Sequence, residues 1–499
     1  TVTVFTFGKV TFSGDSELSL EKLKELSQAR EGETFSSKSL RESVWKLEEA
    51  HYDLGYAYAD VRPMTSVNHE EKTIDLDFVV AMGEKVKIGR IDIHGNTITR
   101  DRVIRREFTL AEGEWFSGGA IKNSQRKVTK LGFFESADFD FKKRPNEPVV
   151  DVDESIKEQP TGTISAGGGY STTDGFFGMV SISQRNLFGY GYQLSLNGNF
   201  GVEHDTYTLT FNNPRIFDSN VYGGIDLYKS FREYDEYDKK SLGFTVRGGL
   251  ALDDDWSVRV AYTLDSTDMY NVCTQAGYDA GACSSLASVV AQEQEGKRIT
   301  ASVKPSIAYD TRDNQWEATK GVNVKASVEL AGGPLGHDSE YVKYEAEAKK
   351  YFAMPLDSVF TVEGHGGLLR GIEGKPIPIY ERFALGGMYS VRGFGWRDIG
   401  PKDAATGEVI GGDKYLQFNA EYLYPLVKEA KLKMVLFFDS GNAWDVGQDY
   451  FETPMRISTG IGFRWFSPLG PLRLEYGHIL DKKDGEDGSR WDFSIGGFF

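Results

Sequence analysis

The sequence predicts a transmembrane antiparallel β-barrel of sixteen strands preceded by two small α+β domains. Three observations predict it: apolar and polar residues alternate through most of 161–499, an internal repeat fills the first 158 residues, and no apolar run approaches the roughly 18 residues a spanning helix needs. The densest apolar stretch is Met434-Val435-Leu436-Phe437-Phe438. At 499 residues the chain exceeds the roughly 250–300 at which single cores stop growing, so two or more units are expected. Low hydropathy suits a barrel, whose strands meet lipid only at every second residue, and so do 56 glycines and an aromatic content of 13%. A net charge of −17 lacks the basic footprint of a nucleic-acid binder.

The N-terminal third carries the repeat, with domains expected at 1–82 and 83–158. Lys9-Val10-Thr11-Phe12-Ser13-Gly14 aligns with Arg90-Ile91-Asp92-Ile93-His94-Gly95, and the same offset places Gly32-Glu33-Thr34-Phe35-Ser36 on Gly113-Glu114-Trp115-Phe116-Ser117. Amphipathic stretches follow (Leu40, Val44, Leu47; Ile121, Val128, Leu131). Gly-aromatic corners come next at Gly55-Tyr56 and Gly132-Phe133, then closing alternating strands at 74–78 and 149–153. Each unit thus reads strand, helix, helix, strand, strand, with Ser19 capping the first helix. An uncovered sheet edge in such a domain is able to pair with an added strand; an inert spacer is the plainer alternative.

The barrel is expected over 159–499, with strands near 161–169, 176–185, 190–200, 205–213, 220–230, 239–251, 255–265, 297–310, 319–331, 338–352, 357–369, 413–426, 430–440, 454–466, 470–478 and 490–499. An even count brings both ends to one side, the periplasm, because the soluble repeats precede the first strand. The cysteine loop 266–296 and the sixth outer loop 370–412 then face outward. Cys273 and Cys283 are read as a loop-closing disulfide in an oxidising compartment, with two unpaired thiols as the alternative. The Asp253-Asp254-Asp255 run is read as a solvated turn, since no EF-hand frame surrounds it; no metal site is expected.

Alternation also assigns faces, because a charge at the lipid face is costly. Leu416, Phe418, Ala420, Tyr422 and Tyr424 point outward, which turns Gln417, Asn419 and Glu421 to the lumen. In the next strand Met434, Leu436 and Phe438 turn Phe437 and Asp439 inward, and Arg464, Arg473 and Glu475 are lumenal by the same logic. A basic group should meet those acids. Arg392, in the glycine-rich run Gly386-Gly387-Met388-Tyr389-Ser390-Val391-Arg392-Gly393-Phe394 of the sixth loop, is the candidate, a solvent-exposed loop arginine being the alternative.

Val391-Arg392-Gly393-Phe394 ahead of the twelfth strand, sixteen strands ending on Phe499, and tandem preceding repeats resemble the BamA family of outer-membrane assembly factors, whose repeats are called POTRA domains. The resemblance implies that the sixth loop folds into the barrel and that its arginine meets an acid on each of strands twelve and thirteen, by position Glu421 and Asp439, with Phe437 beside them. It implies a bacterial outer-membrane location with POTRA domains in the periplasm. Family members commonly carry five such domains; two here imply a chain cut before Thr1 or a shorter relative.

The expected activity is insertion of β-barrel proteins. The POTRA domains receive unfolded clients, with accessory outer-membrane lipoproteins and periplasmic chaperones as further partners, and the bilayer is thinned near a lateral gate between the first and last strands. The gate residues are Thr161, Gly162, Thr163, Ile164 and Ser165 with Gly496, Gly497 and Phe499; glycines weaken both strands. No cofactor is expected and no Walker A, G-x-S-x-G or H-E-x-x-H motif occurs, so the chain is not expected to be an enzyme. The alternatives are a two-partner secretion transporter exporting one polypeptide, and a plain porin-like channel.

Overall fold

A computed structural model describes residues 4–372, 374–467 and 470–496. Of the positions singled out in the sequence, Gly497 and Phe499 lie outside the described residues. The chain divides into an N-terminal unit that ends at Thr161 and includes Arg185–Gly191, and a barrel unit formed by Gly162–Gln184 and the chain from Tyr192 onward.

The N-terminal unit holds two copies of one small fold. The first comprises β1 (Thr6–Gly14), α1 (Leu20–Leu26), α2 (Ser37–Tyr52), β2 (Asp60–Asn68) and β3 (Thr73–Ala81), with sheet order β1-β3-β2. The second comprises β4 (Lys87–His94), α3 (Asp101–Arg105), α4 (Gly118–Lys130), β5 (Phe134–Lys143) and β6 (Val149–Glu158), with order β4-β6-β5. The first strand of each copy runs parallel to the last and the remaining pair is antiparallel.

Local chemistry repeats with the fold. Ser19 accepts a hydrogen bond from the Lys22 N–H, Ser36 from the N–H groups of Lys38 and Ser39, and Ser117 from that of Ala120, so α1, α2 and α4 each start on a serine N-cap. Gly14 and Gly95 both take positive φ, 87° and 91°, where a Cβ would collide with the carbonyls of Val80 and Ile156. In each copy the parallel ladder slips, between Phe7 and Val10 and between Ile88 and Ile91. The two N–H groups freed there are taken by carboxylates: Lys9 donates to Asp75 at 2.7 Å and Val10 to Glu31 at 3.1 Å, while Arg90 donates to Asp151 at 2.7 Å and Ile91 to Glu112 at 2.9 Å. A bulge that would otherwise leave unpaired donors is thereby closed.

The cores are apolar, built from Phe7, Leu47, Leu76 and Phe78 in the first copy and from Val86, Ile88, Val150 and Val152 in the second. One residue breaks the pattern. Glu154 holds the core-facing parity of β6 between Val152 and Ile156, is fully buried, and neither carboxyl oxygen has a hydrogen-bond partner among the described residues. Burial pushes this carboxyl up to about 8, with Asp101 adding to the rise and Arg105 opposing it.

The barrel is a closed antiparallel sheet of sixteen strands in sequential order, the last returning to the first. Its strands are β7 (Gly162–Ser171), β8 (Gly175–Leu187), β9 (Tyr192–Gly201), β10 (His204–Asn213), β11 (Val221–Glu233), β12 (Asp238–Ala251), β13 (Trp256–Tyr270) and β14 (Gly296–Asp310). They continue with β15 (Gly321–Ala331), β16 (Tyr341–Ala353), β17 (Val359–Gly371), β18 (Lys414–Val427), β19 (Leu432–Trp444), β20 (Arg456–Ser467), β21 (Gly470–Ile479) and β22 (Ser489–Ile495). Several strands run further outward than the alternation indicates: β13 reaches Tyr270 and β19 reaches Trp444, because loop residues continue the ladder above the apolar band. Among the described residues the last strand ends at Ile495, and Gly496 turns to φ 80°.

Among the outer connections, the one after β13 carries α5 (Gln275–Asp279) and α6 (Val289–Glu293) and is closed by a Cys273–Cys283 disulfide. Gln294 at its end donates to the Ile377 carbonyl and accepts from the Ile379 N–H, which ties it to the connection after β17. The Asp253 carboxylate accepts from the N–H groups of Asp255 and Trp256, closing a tight turn on itself.

Glu154 generates a pH dependence with a definite sign. Its folded carboxyl holds the proton to about pH 8, whereas the unfolded one releases it near 4.5, so the second copy loses stability as pH rises between those values. Pulse proteolysis of residues 83–159 in urea at pH 5.5 and 8.0 should show that loss, and Glu154→Gln should remove most of it and be the more stable form at pH 8.0. Equal pH responses in the two proteins would refute the assignment.

Candidate functional site

The site lies on the inner wall of the barrel where four adjacent strands present charge. Strand parity sends Gln417, Asn419 and Glu421 of β18, Phe437 and Asp439 of β19, Arg464 of β20, and Arg473 and Glu475 of β21 to the lumen, while Leu436, Phe438, Phe418 and Ile461 remain exposed on the outside. The connection between β17 and β18 enters the lumen and delivers the arginine. Leu385 and Ile399 exchange backbone hydrogen bonds at 2.8 and 2.9 Å to close its stem, and Gly386, Gly387 and Gly393 take φ of 110°, 96° and 90° at the tip.

Arg392 is 2% exposed and reaches three carboxylates. Its Nε and Nη2 donate to the two oxygens of Asp439, both at 2.6 Å, as a fork, and its own backbone N–H adds a third bond to Asp439 at 3.1 Å. Nη1 donates to Glu421 at 2.6 Å and to Glu475 at 3.1 Å. The guanidinium carbon lies 3.6 Å from the Phe437 ring centroid, a stacked cation–π contact. Four of its five side-chain N–H donors therefore meet a carboxylate oxygen, and its face meets a ring, in a buried space.

Two further arginines complete the cluster. Arg464 donates to both oxygens of Glu421 at 2.6 and 3.0 Å and to Glu475 at 2.9 Å; Arg473 donates to Glu475 at 2.8 Å and to the Met388 carbonyl at 3.1 Å. Three carboxylates thus meet three guanidiniums, and the formal charge of the group is zero. Asn419 bridges the wall and the loop by donating to Asp439 at 2.8 Å and to the Ser390 carbonyl at 2.7 Å, while the Ser390 hydroxyl donates to Gln417 at 2.8 Å.

Apolar contacts hold the same loop. Val391 is fully buried with Leu385, Phe394, Ile399 and Ile479, and Phe394 lies beneath Arg456, whose guanidinium carbon is 4.6 Å from the ring. The wall is cut away to admit the loop. A Cβ at Gly477 of β21 would collide with the Gly393 nitrogen, and one at Gly460 of β20 would collide with the Phe437 ring. Sequence reasoning turned Asn419, Glu475, Arg464 and Arg473 inward without giving them a part in the anchor, and it passed over Gly460 and Gly477. The parity of β20 and β21, which places glycines on the lumenal face beside the charges, is the signal that marks them.

The other candidate positions are at the seam between β7 and β22. Gly162, Thr163, Ile164 and Ser165 pair with Gln184, Ser183, Ile182 and Ser181 of β8, and Ile164 is 79% exposed on the outer face. Thr161 lies just ahead of β7. Toward β22 the ladder consists of Tyr170–Ile495 and Ser171–Ser494 among the described residues, whereas β21 and β22 pair continuously from Leu472–Ile495 to His478–Ser489. Below those pairs the backbones cross in contact: a Cβ at Gly169 would collide with the Ile495 carbonyl, and one at Gly496 with the Gly168 carbonyl.

Removing one partner from a buried charge group costs about 3–5 kcal/mol, because the others are left uncompensated. Arg392→Ala should lower barrel stability by that order, measured as the heat-modifiability transition on gels. Arg392→Lys should recover little of it, since one ammonium cannot reproduce the fork on Asp439. A lysine variant with the parent transition would contradict the fork as the source of the stability.

The Omp85 superfamily domain matches residues 186–499, and the surface antigen variable number repeat of the POTRA family matches residues 5–83 and 86–159. The outer membrane protein assembly factor BamA of Nitratidesulfovibrio vulgaris is 32% identical over 99% of this chain and 62% of its own length; that of Neorickettsia risticii is 28% identical over 98% and 66%. The chain therefore spans less than two thirds of the length of these relatives. The crystal structure of BamA from Haemophilus ducreyi lacking POTRA domains 1–3 shares the fold, with a TM-score of 0.81 at 23% identity and 99% of both chains covered. The chain belongs to the Omp85 superfamily, with two POTRA domains ahead of its sixteen-stranded barrel.

Proposed function

We propose that this protein assembles β-barrel proteins into the bacterial outer membrane, with its POTRA domains in the periplasm receiving unfolded clients and the β7/β22 seam templating their strands. The observation that carries this reading is the seam itself. The other junctions whose register is described run to seven pairs or more, such as Trp256–Tyr309 through Met269–Gly296 between β13 and β14, while β7 and β22 share two pairs among the described residues. Backbone donors and acceptors along an edge in hydrocarbon demand partners, and an incoming strand supplies them by main-chain pairing with little demand on its sequence.

The remaining parts fit the same work. The N-terminal sheets end in strands at an edge, β2 and β5, with exposed apolar side chains such as Met64 and Phe141 for an extended client. As far as Ile495 the last strand has seven residues, roughly 23 Å at about 3.3 Å per residue, which is short against a hydrocarbon core of about 30 Å and favours local thinning of the bilayer. The buried sixth loop argues against a persistent wide pore. The relatives named as assembly factors point the same way, and accessory outer-membrane lipoproteins and periplasmic chaperones are the further partners this activity calls for. The work is strand exchange, driven by hydrogen bonding and lipid-facing burial, and not covalent catalysis.

Ser171 and Ser494 are register partners next to the hydrogen-bonded Thr172–Phe493 position, so they form a non-hydrogen-bonded pair whose geometry admits a disulfide. The double variant Ser171→Cys, Ser494→Cys should stop client insertion when oxidised and recover it on reduction. Normal insertion by a protein whose cross-link is verified would sink the seam as the working edge.

A further inference from the structure

We propose that Thr172 and Asp492 form a latch that holds the outer end of the seam shut, a role that rests on the seam being the working edge. β7 rises from the N-terminal side, so Thr172, just past its last residue, lies at the outer end. There it takes over from the short ladder. Its N–H donates to the Phe493 carbonyl at 3.0 Å, its hydroxyl donates to Asp492 Oδ1 at 3.2 Å, and its Oγ1 accepts the Phe493 N–H at 3.4 Å. One threonine therefore provides three of the hydrogen bonds that join the first strand to the last.

Asp492 is suited to release as well as to hold. It is 1% exposed and its Oδ1 also accepts from Arg490 Nε at 3.1 Å, while Oδ2 has no hydrogen-bond partner among the described residues. Arg490 stands two residues away on the same face of β22. When the seam parts, the carboxylate travels with its own counter-ion, so opening breaks the threonine contacts without stranding a buried charge. Asp492 is also the register partner of Glu475, which binds Arg392 and Arg473, so the latch lies one strand from the sixth-loop anchor. Asp492 and Thr172 are positioning residues, setting how often the seam opens.

The test uses the whole chain in planar bilayers, recording the frequency of opening events, with hydrogen exchange over 489–495 read in parallel. Thr172→Val keeps the shape and removes the hydroxyl; it should raise opening frequency and exchange about tenfold, the worth of about one hydrogen bond, and Thr172→Ser should restore parent values. Parent-like frequency and exchange in a folded Thr172→Val barrel would overturn the latch, as would a serine variant that behaves like valine. Should the valine variant not fold, Asp492→Asn, which keeps the acceptor but weakens it, should give an increase of about threefold, and no increase would overturn the proposal. Client insertion is not among these readouts. A faster-opening valine variant alongside a parent protein that inserts nothing would leave the latch standing and remove the assembly reading.

Discussion

A neutral cluster of six charges, five buried and Arg464 half-buried, organises the barrel. Arg392 enters from the sixth loop and meets Glu421, Asp439 and Glu475, while Arg464 and Arg473 reach the same acids from the wall. With the loop withdrawn, three carboxylates would face two guanidiniums across a lumen that is now wet, so the wall is built for the loop to be present. The fork on Asp439 fixes the loop's orientation, and stacking on Phe437 fixes its depth. Because the acids are drawn from β18, β19 and β21, the same contact braces the run of strands that ends one short of the seam.

That placement sets a densely joined run of strands beside the seam. Strands β18 to β21 are joined by full ladders and by the loop, whereas among the described residues β22 meets β7 through two pairs and the Thr172 contacts. A closed barrel otherwise has no edge on which another strand can grow. Below the paired residues the backbones at Gly168–Gly169 and Ile495–Gly496 cross in close contact. The anchored strands and the seam are thus near neighbours, with β22 alone between them.

Much of this was legible in the sequence because strand parity is local. Leu416, Phe418 and Ala420 sufficed to turn Glu421 inward, Leu436 and Phe438 did the same for Asp439, and the 81-residue offset between Lys9 and Arg90 exposed the repeat. Parity gives the face of a residue and not its height relative to neighbouring strands. The convergence of Glu475 and Arg464 on Glu421 therefore needed the register of three ladders, which alternation does not encode. The paired carboxylates at the N-terminal bulges, Asp75 with Glu31 and Asp151 with Glu112, are long-range for the same reason. Glu154 was readable, since it interrupts the apolar series Val150, Val152, Ile156, and a charge at a core parity marks a special position. Thr172 lies in a loop by alternation, and only the closure of the sheet makes it part of the seam.

The central claim is that one weakly closed seam serves many clients, and it is tested most directly by insertion into liposomes. The reconstituted protein would be presented with several unrelated, urea-unfolded outer-membrane barrels and the folded product scored against empty liposomes. The account predicts acceleration for all of them, because templating by main-chain pairing is blind to side chains. Acceleration confined to one polypeptide, or none for any client, would contradict it.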